Sequence, residues 1–145
     1  MLNLRDFYYW NSGNLLENRT RGAFAEWIVH QQLGICKEFR VEWADVDVTL
    51  PNGTTLEIKS AAYEQVWDQE QPSQIRFDCR QRVSDIYLFS LLEGNKPEDL
   101  DSWHWWVVPT SMLPMNQKSI GLKTLRGIAG EPIPTAELKK LLKEN

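Results

Sequence analysis

The stretch Asp45-Val46-Asp47-Val48-Thr49-Leu50-Pro51-Asn52-Gly53-Thr54-Thr55-Leu56-Glu57-Ile58-Lys59 decides the fold. Two runs of alternating apolar and polar residues flank Pro-Asn-Gly, which suits a three-residue hairpin loop. Pro51 and Asn52 then form the centre of a type I turn, and Gly53 takes the left-handed position of a G1 bulge. Leu50 pairs with Thr54. The register carries back to Thr49 opposite Thr55, Val48 opposite Leu56, Asp47 opposite Glu57, Val46 opposite Ile58 and Asp45 opposite Lys59. With a side-chain period of two, Val46, Val48, Leu50, Leu56 and Ile58 face a core, while Asp45, Asp47, Glu57 and Lys59 share the other face. A two-residue Asn-Gly loop would mix the two faces and is rejected.

Directly opposed strand residues have Cβ atoms about 4.5–5.5 Å apart, so Asp47 and Glu57 are placed to share one divalent cation. Two bare carboxylates that close repel, and one would keep its proton near neutral pH. Mg²⁺, a hard cation that prefers oxygen ligands, lets both ionise. Lys59, two residues beyond Glu57 on the same face, can steady an attacking water or the charge developing on a phosphate. The same pattern also serves simply as a solvated sheet face with cross-strand ion pairs.

Upstream, Asn14-Leu15-Leu16-Glu17 reads as a capping box, with Asn14 as N-cap and Glu17 three residues on, opening a helix that runs to Leu33 and stops at Gly34. Ala23, Phe24, Trp27, Ile28 and Val29 form its wide apolar face. Glu26 sits beside that face, where it either looks toward the neighbouring sheet or lies solvated at the rim.

A helix carrying an acid, then a hairpin with Asp and Glu-x-Lys, then a polar segment and a long apolar strand, resembles the PD-(D/E)XK nuclease superfamily. That superfamily includes Holliday-junction resolvases, Mrr-type and type II restriction endonucleases, and RecB-like nucleases. The resemblance covers about residues 14–92. It implies a restriction-endonuclease-like three-layer α/β/α core with a central mixed sheet. It also implies hydrolysis of phosphodiester bonds, most readily in DNA, with Mg²⁺ or Mn²⁺. Carried over by position, Asp47 and Glu57 are the metal ligands, Glu26 is the supporting helix acid and Lys59 the catalytic lysine. Gln65 is the polar residue that some RecB-like members place after the lysine. Val46 stands where the motif has proline, and Asp45 rivals Asp47 for the motif position. Asp47 is preferred because the register sets it opposite Glu57.

The strictly alternating Gln74-Ile75-Arg76-Phe77-Asp78-Cys79-Arg80 predicts a strand with Ile75, Phe77 and Cys79 inward. Arg76 and Arg80 on its outer face, with Arg19 and Arg82, are candidate phosphate contacts, as are Arg21 and Lys59; a solvated face is the alternative. Val83 to Leu92 reads as a strand buried on both sides, with Asp85 the exception near its start. Residues 93–102 form an acidic loop, and Trp103 to Pro109 is a further strand. Its tryptophans either stack on bases or, as the favoured reading, pack the core. Ser111 to Gly130 reads as loop with short elements. Thr135 caps a final amphipathic helix with Leu138, Leu141 and Leu142 on one side.

At 145 residues and 42% hydrophobic, the chain is expected to form one domain, with a core over about residues 14–109 and an extension over about 110–145. The apolar runs are too short to span a bilayer and the N-terminus lacks a signal-peptide pattern, which points to the cytoplasm. Cys36 and Cys79 are expected as free buried thiols, with a disulfide the other option. His30 and His104 have no ligand cluster nearby in sequence, so no zinc site is expected. Sixteen basic against twenty acidic residues give a net charge of −4, unlike the basic footprint of a stand-alone DNA binder. Weak intrinsic binding, or help from a second subunit or helper protein, is the consequence. The competing readings are a catalytically silent nuclease-like fold acting as a binding or assembly module and, more remotely, a small-molecule or tRNA-processing hydrolase using the same metal site.

Overall fold

Pro-Asn-Gly turns the chain as its composition requires. In the computed structural model, which describes residues 1–35 and 39–143, the Gly53 N–H donates to Leu50 O at 2.8 Å and Leu50 N–H to Thr54 O at 2.8 Å. Gly53 sits at φ 90°, a conformation that costs a glycine little. The hairpin joins β1 (Val48–Thr49) to β2 (Thr55–Ala62), with Val48 facing Leu56 and Thr49 facing Thr55 as the sequence predicts.

Around this hairpin a five-stranded mixed sheet runs in the order β1, β2, β4 (Ile86–Leu92), β5 (Trp103–Pro109) and β7 (Ile133–Pro134). β2 and β4 are parallel and the remaining neighbours antiparallel. The central strand β4 is buried at every position, which is why its sequence is a continuous apolar run rather than an alternating one. It begins at Ile86, three residues later than the sequence suggests. Val83 is exposed, and the Asp85 carboxylate instead accepts hydrogen bonds from the N–H and hydroxyl of Thr55, each at 3.0 Å.

One sheet face is covered by α2 (Asn18–Leu33) and α4 (Leu138–Lys143). Ala25, Ile28 and Val29 of α2 and Leu138 and Leu142 of α4 pack with Val48, Leu50, Leu56, Ile58, Leu88, Trp103 and Trp105. The other face is covered by a small sheet, β3 (Arg76–Asp78) with β6 (Ser119–Gly121), and by α3 (Leu122–Ala129). Phe77, Cys79, Ile120 and Leu125 meet Tyr87, Phe89, Leu91, Trp106 and Val108 there. The outer layers are thus helical on one side and a strand pair plus a helix on the other. This is a mixed α/β architecture whose second layer is less helical than an α/β/α sandwich.

Several local expectations need correction. The helix after Asn14 begins at Asn18, and Glu17 is its N-cap, its carboxylate accepting from Thr20 N–H at 3.4 Å. Asn14 instead closes a turn by accepting from Leu16 N–H at 3.1 Å. The far end is as predicted. Gly34 is left-handed at φ 68°, and its N–H and that of Ile35 bond to Gln31 O and His30 O, a Schellman closure. Trp27 is exposed rather than part of the apolar face, because the helix turns Ala25 inward. The strand predicted over Gln74 to Arg80 has the right alternation, with Ile75, Phe77 and Cys79 buried. It hydrogen-bonds over only three residues, and to β6 rather than to the main sheet. The 111–130 segment holds the eight-residue helix α3, whose Leu125 is fully buried. Thr135 does not cap α4. Its hydroxyl accepts from the Trp105 indole at 2.8 Å and donates to Leu100 O at 3.1 Å. Residues 1–13, to which the sequence reading assigns no element, form α1 (Leu4–Ser12), capped by the Asn3 side chain accepting from Arg5 N–H at 2.9 Å. Cys79 is a free buried thiol, and Cys36 lies outside the described residues.

Arg82 holds the second layer in place. At φ 51° it is a non-glycine residue in the left-handed region, and its guanidinium donates to Cys79 O (3.0 Å), Gln117 O (2.7 Å), Leu113 O (3.4 Å) and Pro114 O. Pro114 O also accepts from Gln117 N–H and Gln117 O from the Cys79 thiol, so the guanidinium ties an already bonded loop to the end of β3. Arg82→Met, which keeps the aliphatic stem, is expected to cost about 2–3 kcal/mol in urea unfolding. An unchanged midpoint would mean that water replaces the guanidinium at no cost.

Candidate active site

Upstream of Val48 the predicted register breaks, and the break builds the site. Asp47 N–H bonds to Leu56 O at 3.1 Å although Val48 already faces Leu56, so two residues oppose one, as in a β-bulge. The extra residue removes Asp47 from its predicted place opposite Glu57, and Val46 and Asp45 from theirs opposite Ile58 and Lys59. Asp45 is exposed. The Asp47 carboxylate turns back to the sheet edge and accepts from Ile58 N–H at 2.7 Å, capping a strand donor that β1 no longer reaches.

Three layers supply the other groups. From α2, Glu26 is buried and held by Arg40, whose Nε and Nη2 donate to its two oxygens at 2.6 and 3.2 Å. From β2, Glu57 and Lys59 project toward the second layer, Lys59 Nζ lying 3.1 Å from Glu57 Oε1. From β3, Asp78 faces both, tied to Arg80 at 2.9 Å. Glu26, Arg40, Asp45, Asp47, Glu57, Lys59 and Gln81 line one open groove of about 780 Å³.

The electrostatics of this groove are unusual for surface acids. Burial, followed by a hydrogen bond with Glu26 that Asp47 makes only when protonated, pushes the Asp47 carboxyl up to about 7. Burial and the charge of Asp47 likewise raise Glu57, against the pull of Lys59. Burial works to lower the Lys59 ammonium, but its hydrogen bond to Glu57 and the surrounding acids outweigh this and raise it. Asp78 is lowered by Arg80.

The remaining sequence-predicted residues are dispersed. Gln65 sits past the end of β2, in an adjoining cleft shared with Lys59, Arg76 and Asp78. Its amide donates to Ala62 O at 2.9 Å, and its N–H is anchored on Gln69. Arg76 is bound to Ser119 through its side chain, Arg80 to Asp78, and Arg19 to Glu42 at 3.4 Å. Arg82 is committed to carbonyls, and Arg21 is buried with its guanidinium on Leu16 O. The tryptophans 103, 105 and 106 are core residues, each with its indole N–H bonded, so they offer no ring to a base.

Arg40 and Trp43 escaped the sequence reading. They lie in an irregular stretch between helix and hairpin, where no periodicity indicates which side chains fold back over the sheet edge. The alternating charges of Arg40-Val41-Glu42 were the available signal.

Among the described residues, no three acid, imidazole or thiol groups converge as a ready ligand set, because Glu26 is turned to Arg40. Asp47 and Glu57 remain as two hard oxygen donors, the number with which Mg²⁺ is often held while keeping several waters. The chain matches no protein-family model and no curated protein sequence.

Proposed function

We propose that this protein is a metal-dependent nuclease of the PD-(D/E)XK kind, hydrolysing phosphodiester bonds, with DNA the expected substrate. The observation that carries this reading is Asp47. It is a carboxyl raised to about 7 at a sheet edge, beside Glu26 and the Glu57–Lys59 pair, in a groove open to a polymer. Partly buried acids destabilise a fold unless they are compensated, and groups held at such a cost cluster at functional sites.

Asp47 and Glu57 would hold Mg²⁺ or Mn²⁺, with Glu26, whose two oxygens accept from Arg40, assisting through water. A bound divalent ion supplies a more acidic water and stabilises charge on the phosphate. The chain's own groups do the rest. Ile58 N–H fixes the Asp47 carboxylate, and Arg40 fixes Glu26 by two hydrogen bonds. Glu57 orients the Lys59 ammonium, which stays charged at neutral pH and would position the attacking water or a phosphate oxygen. Gln65 and Arg76 border the adjoining cleft, along which a substrate backbone would pass, and Arg80 reaches its edge through Asp78.

The test is cleavage of labelled duplex, nicked, branched and single-stranded DNA and of RNA, with Mg²⁺, Mn²⁺ or EDTA, by wild type and Lys59→Ala. Metal-dependent cutting should fall by at least about 10²-fold in the variant. Cutting that survives Lys59→Ala, or an uncut panel, would set the catalytic reading aside in favour of a silent binding module.

A further inference from the structure

The groove that holds Asp47, Glu57 and Lys59 is also lined by Trp43, whose side chain is 85% exposed. Trp43 therefore has both faces largely in water and a position beside the acids, unlike the tryptophans of β5. An indole left exposed forfeits roughly the 1.5–3 kcal/mol that burying a large apolar side chain recovers.

The charges in the groove narrow what such a ring can serve. Among the described residues, its basic side chains are Arg19, Arg40 and Lys59, and each already faces a carboxylate: Glu42, Glu26 and Glu57 respectively. Glu42, Asp45 and Asp47 line the same groove. Outside it, Arg80 is paired with Asp78 and Arg82 is spent on backbone carbonyls. Duplex binding draws most of its free energy from cations that displace counterions from two phosphate strands, and this surface has few to offer. Base stacking on an aromatic face needs no net charge and is open only to unpaired bases.

We infer that Trp43 is a stacking platform for an unpaired base, and that the groove takes single-stranded nucleic acid in preference to duplex. The inference rests on the nuclease reading for the strand's passage over Lys59, and it names the substrate class of that site. It puts stacking, rather than phosphate contacts, in charge of affinity. Arg40 and Glu42, which precede Trp43 in the chain, are joined at 3.9 Å and line the same groove.

Binding should be measured without turnover, by fluorescence anisotropy in EDTA on the full chain, for wild type, Trp43→Ala and Trp43→Phe. The probes are short oligothymidylate, oligouridylate, a duplex and an abasic strand of equal charge. Trp43→Ala should weaken binding of the base-bearing single strands by about 5- to 150-fold, the equivalent of one stacked base. It should leave the abasic strand unchanged, and Trp43→Phe should restore most of the loss. Equal affinity of wild type and Trp43→Ala for oligothymidylate and oligouridylate, or tighter binding of the duplex than of either single strand, would overturn the inference. Because this binding is read without metal, absence of cleavage in Mg²⁺ or Mn²⁺ together with Trp43-dependent binding would sink the catalytic reading alone. Metal-dependent cleavage with Trp43-independent binding would sink only this one.

Discussion

Asp47→Asn should make the protein more stable at pH 8 while abolishing cleavage. The Asp47 carboxyl, raised to about 7 in the folded protein, ordinarily ionises near 3.8. Between those values the folded state holds a proton that the unfolded chain has released. Stability from this group is therefore full below about pH 4, falls as pH rises through about 7, and then stays low. Glu57, raised for the same reasons, adds a contribution of the same sign.

Asparagine is neutral throughout, still accepts from Ile58 N–H and can donate to Glu26. The two proteins should thus unfold alike near pH 4. In EDTA at pH 8 the variant should lead by on the order of 2–4 kcal/mol, at 1.36 kcal/mol per pKa unit. Mg²⁺ should then raise the wild-type midpoint by mass action and leave the variant unmoved. Urea unfolding across pH, with and without Mg²⁺, measures all of this. Parallel pH curves for the two proteins would show that Asp47 is an ordinary surface acid. A loss of cleavage of at least about 10²-fold is expected together with the gain in stability. A destabilised scaffold could not produce that combination.

Trp105→Ala should have the largest effect on the fold. Its ring is fully buried and stacks on Trp103 at 5.8 Å between centroids, under α2 and α4. Truncation removes that packing at a cost of about 3–5 kcal/mol. It also takes the indole donor from Thr135, whose hydroxyl links the strand to the chain entering α4. A loss of about 10–20 °C in Tm is the expected readout by circular dichroism. Trp43→Ala, at the surface, should stay within about 0.5 kcal/mol of wild type. If Trp105→Ala unfolded no more easily than Trp43→Ala, the assignment of β5 to the centre of the core would be wrong.

These two tryptophans also mark how far the chain can be read unaided. Trp103, Trp105 and Trp106 fall in a seven-residue apolar strand, and that context alone favours the core. Trp43 falls in a short charged stretch with no period, so nothing local says that it overhangs a groove. Residues 1–13 show the converse. Asn3 followed by Asp6 is an N-terminal capping pattern and Leu4, Phe7 and Tyr8 recur at helical spacing, so the helix is locally legible, whereas the exposure of all these side chains is set by the tertiary structure.

The sequence by itself determined what short-range geometry controls: the Pro-Asn-Gly turn, the pairing of Val48 with Leu56, the stop at Gly34, the doubly buried β4, and the co-location of Glu57 and Lys59 two residues apart on one strand. Steric limits on backbone angles and the period of a strand act within a few residues and leave their mark there. Only the tertiary structure decided where Asp47 points. A single extra residue just before β1 moved it from the position opposite Glu57 to the open Ile58 N–H, because an unpaired strand donor at a sheet edge needs an acceptor. Arg40 likewise meets Glu26 across fourteen residues of chain, and Arg82 spends its guanidinium on the carbonyls of a distant loop. Each outcome follows from a buried polar group seeking a partner remote in sequence, an energy that no local pattern encodes.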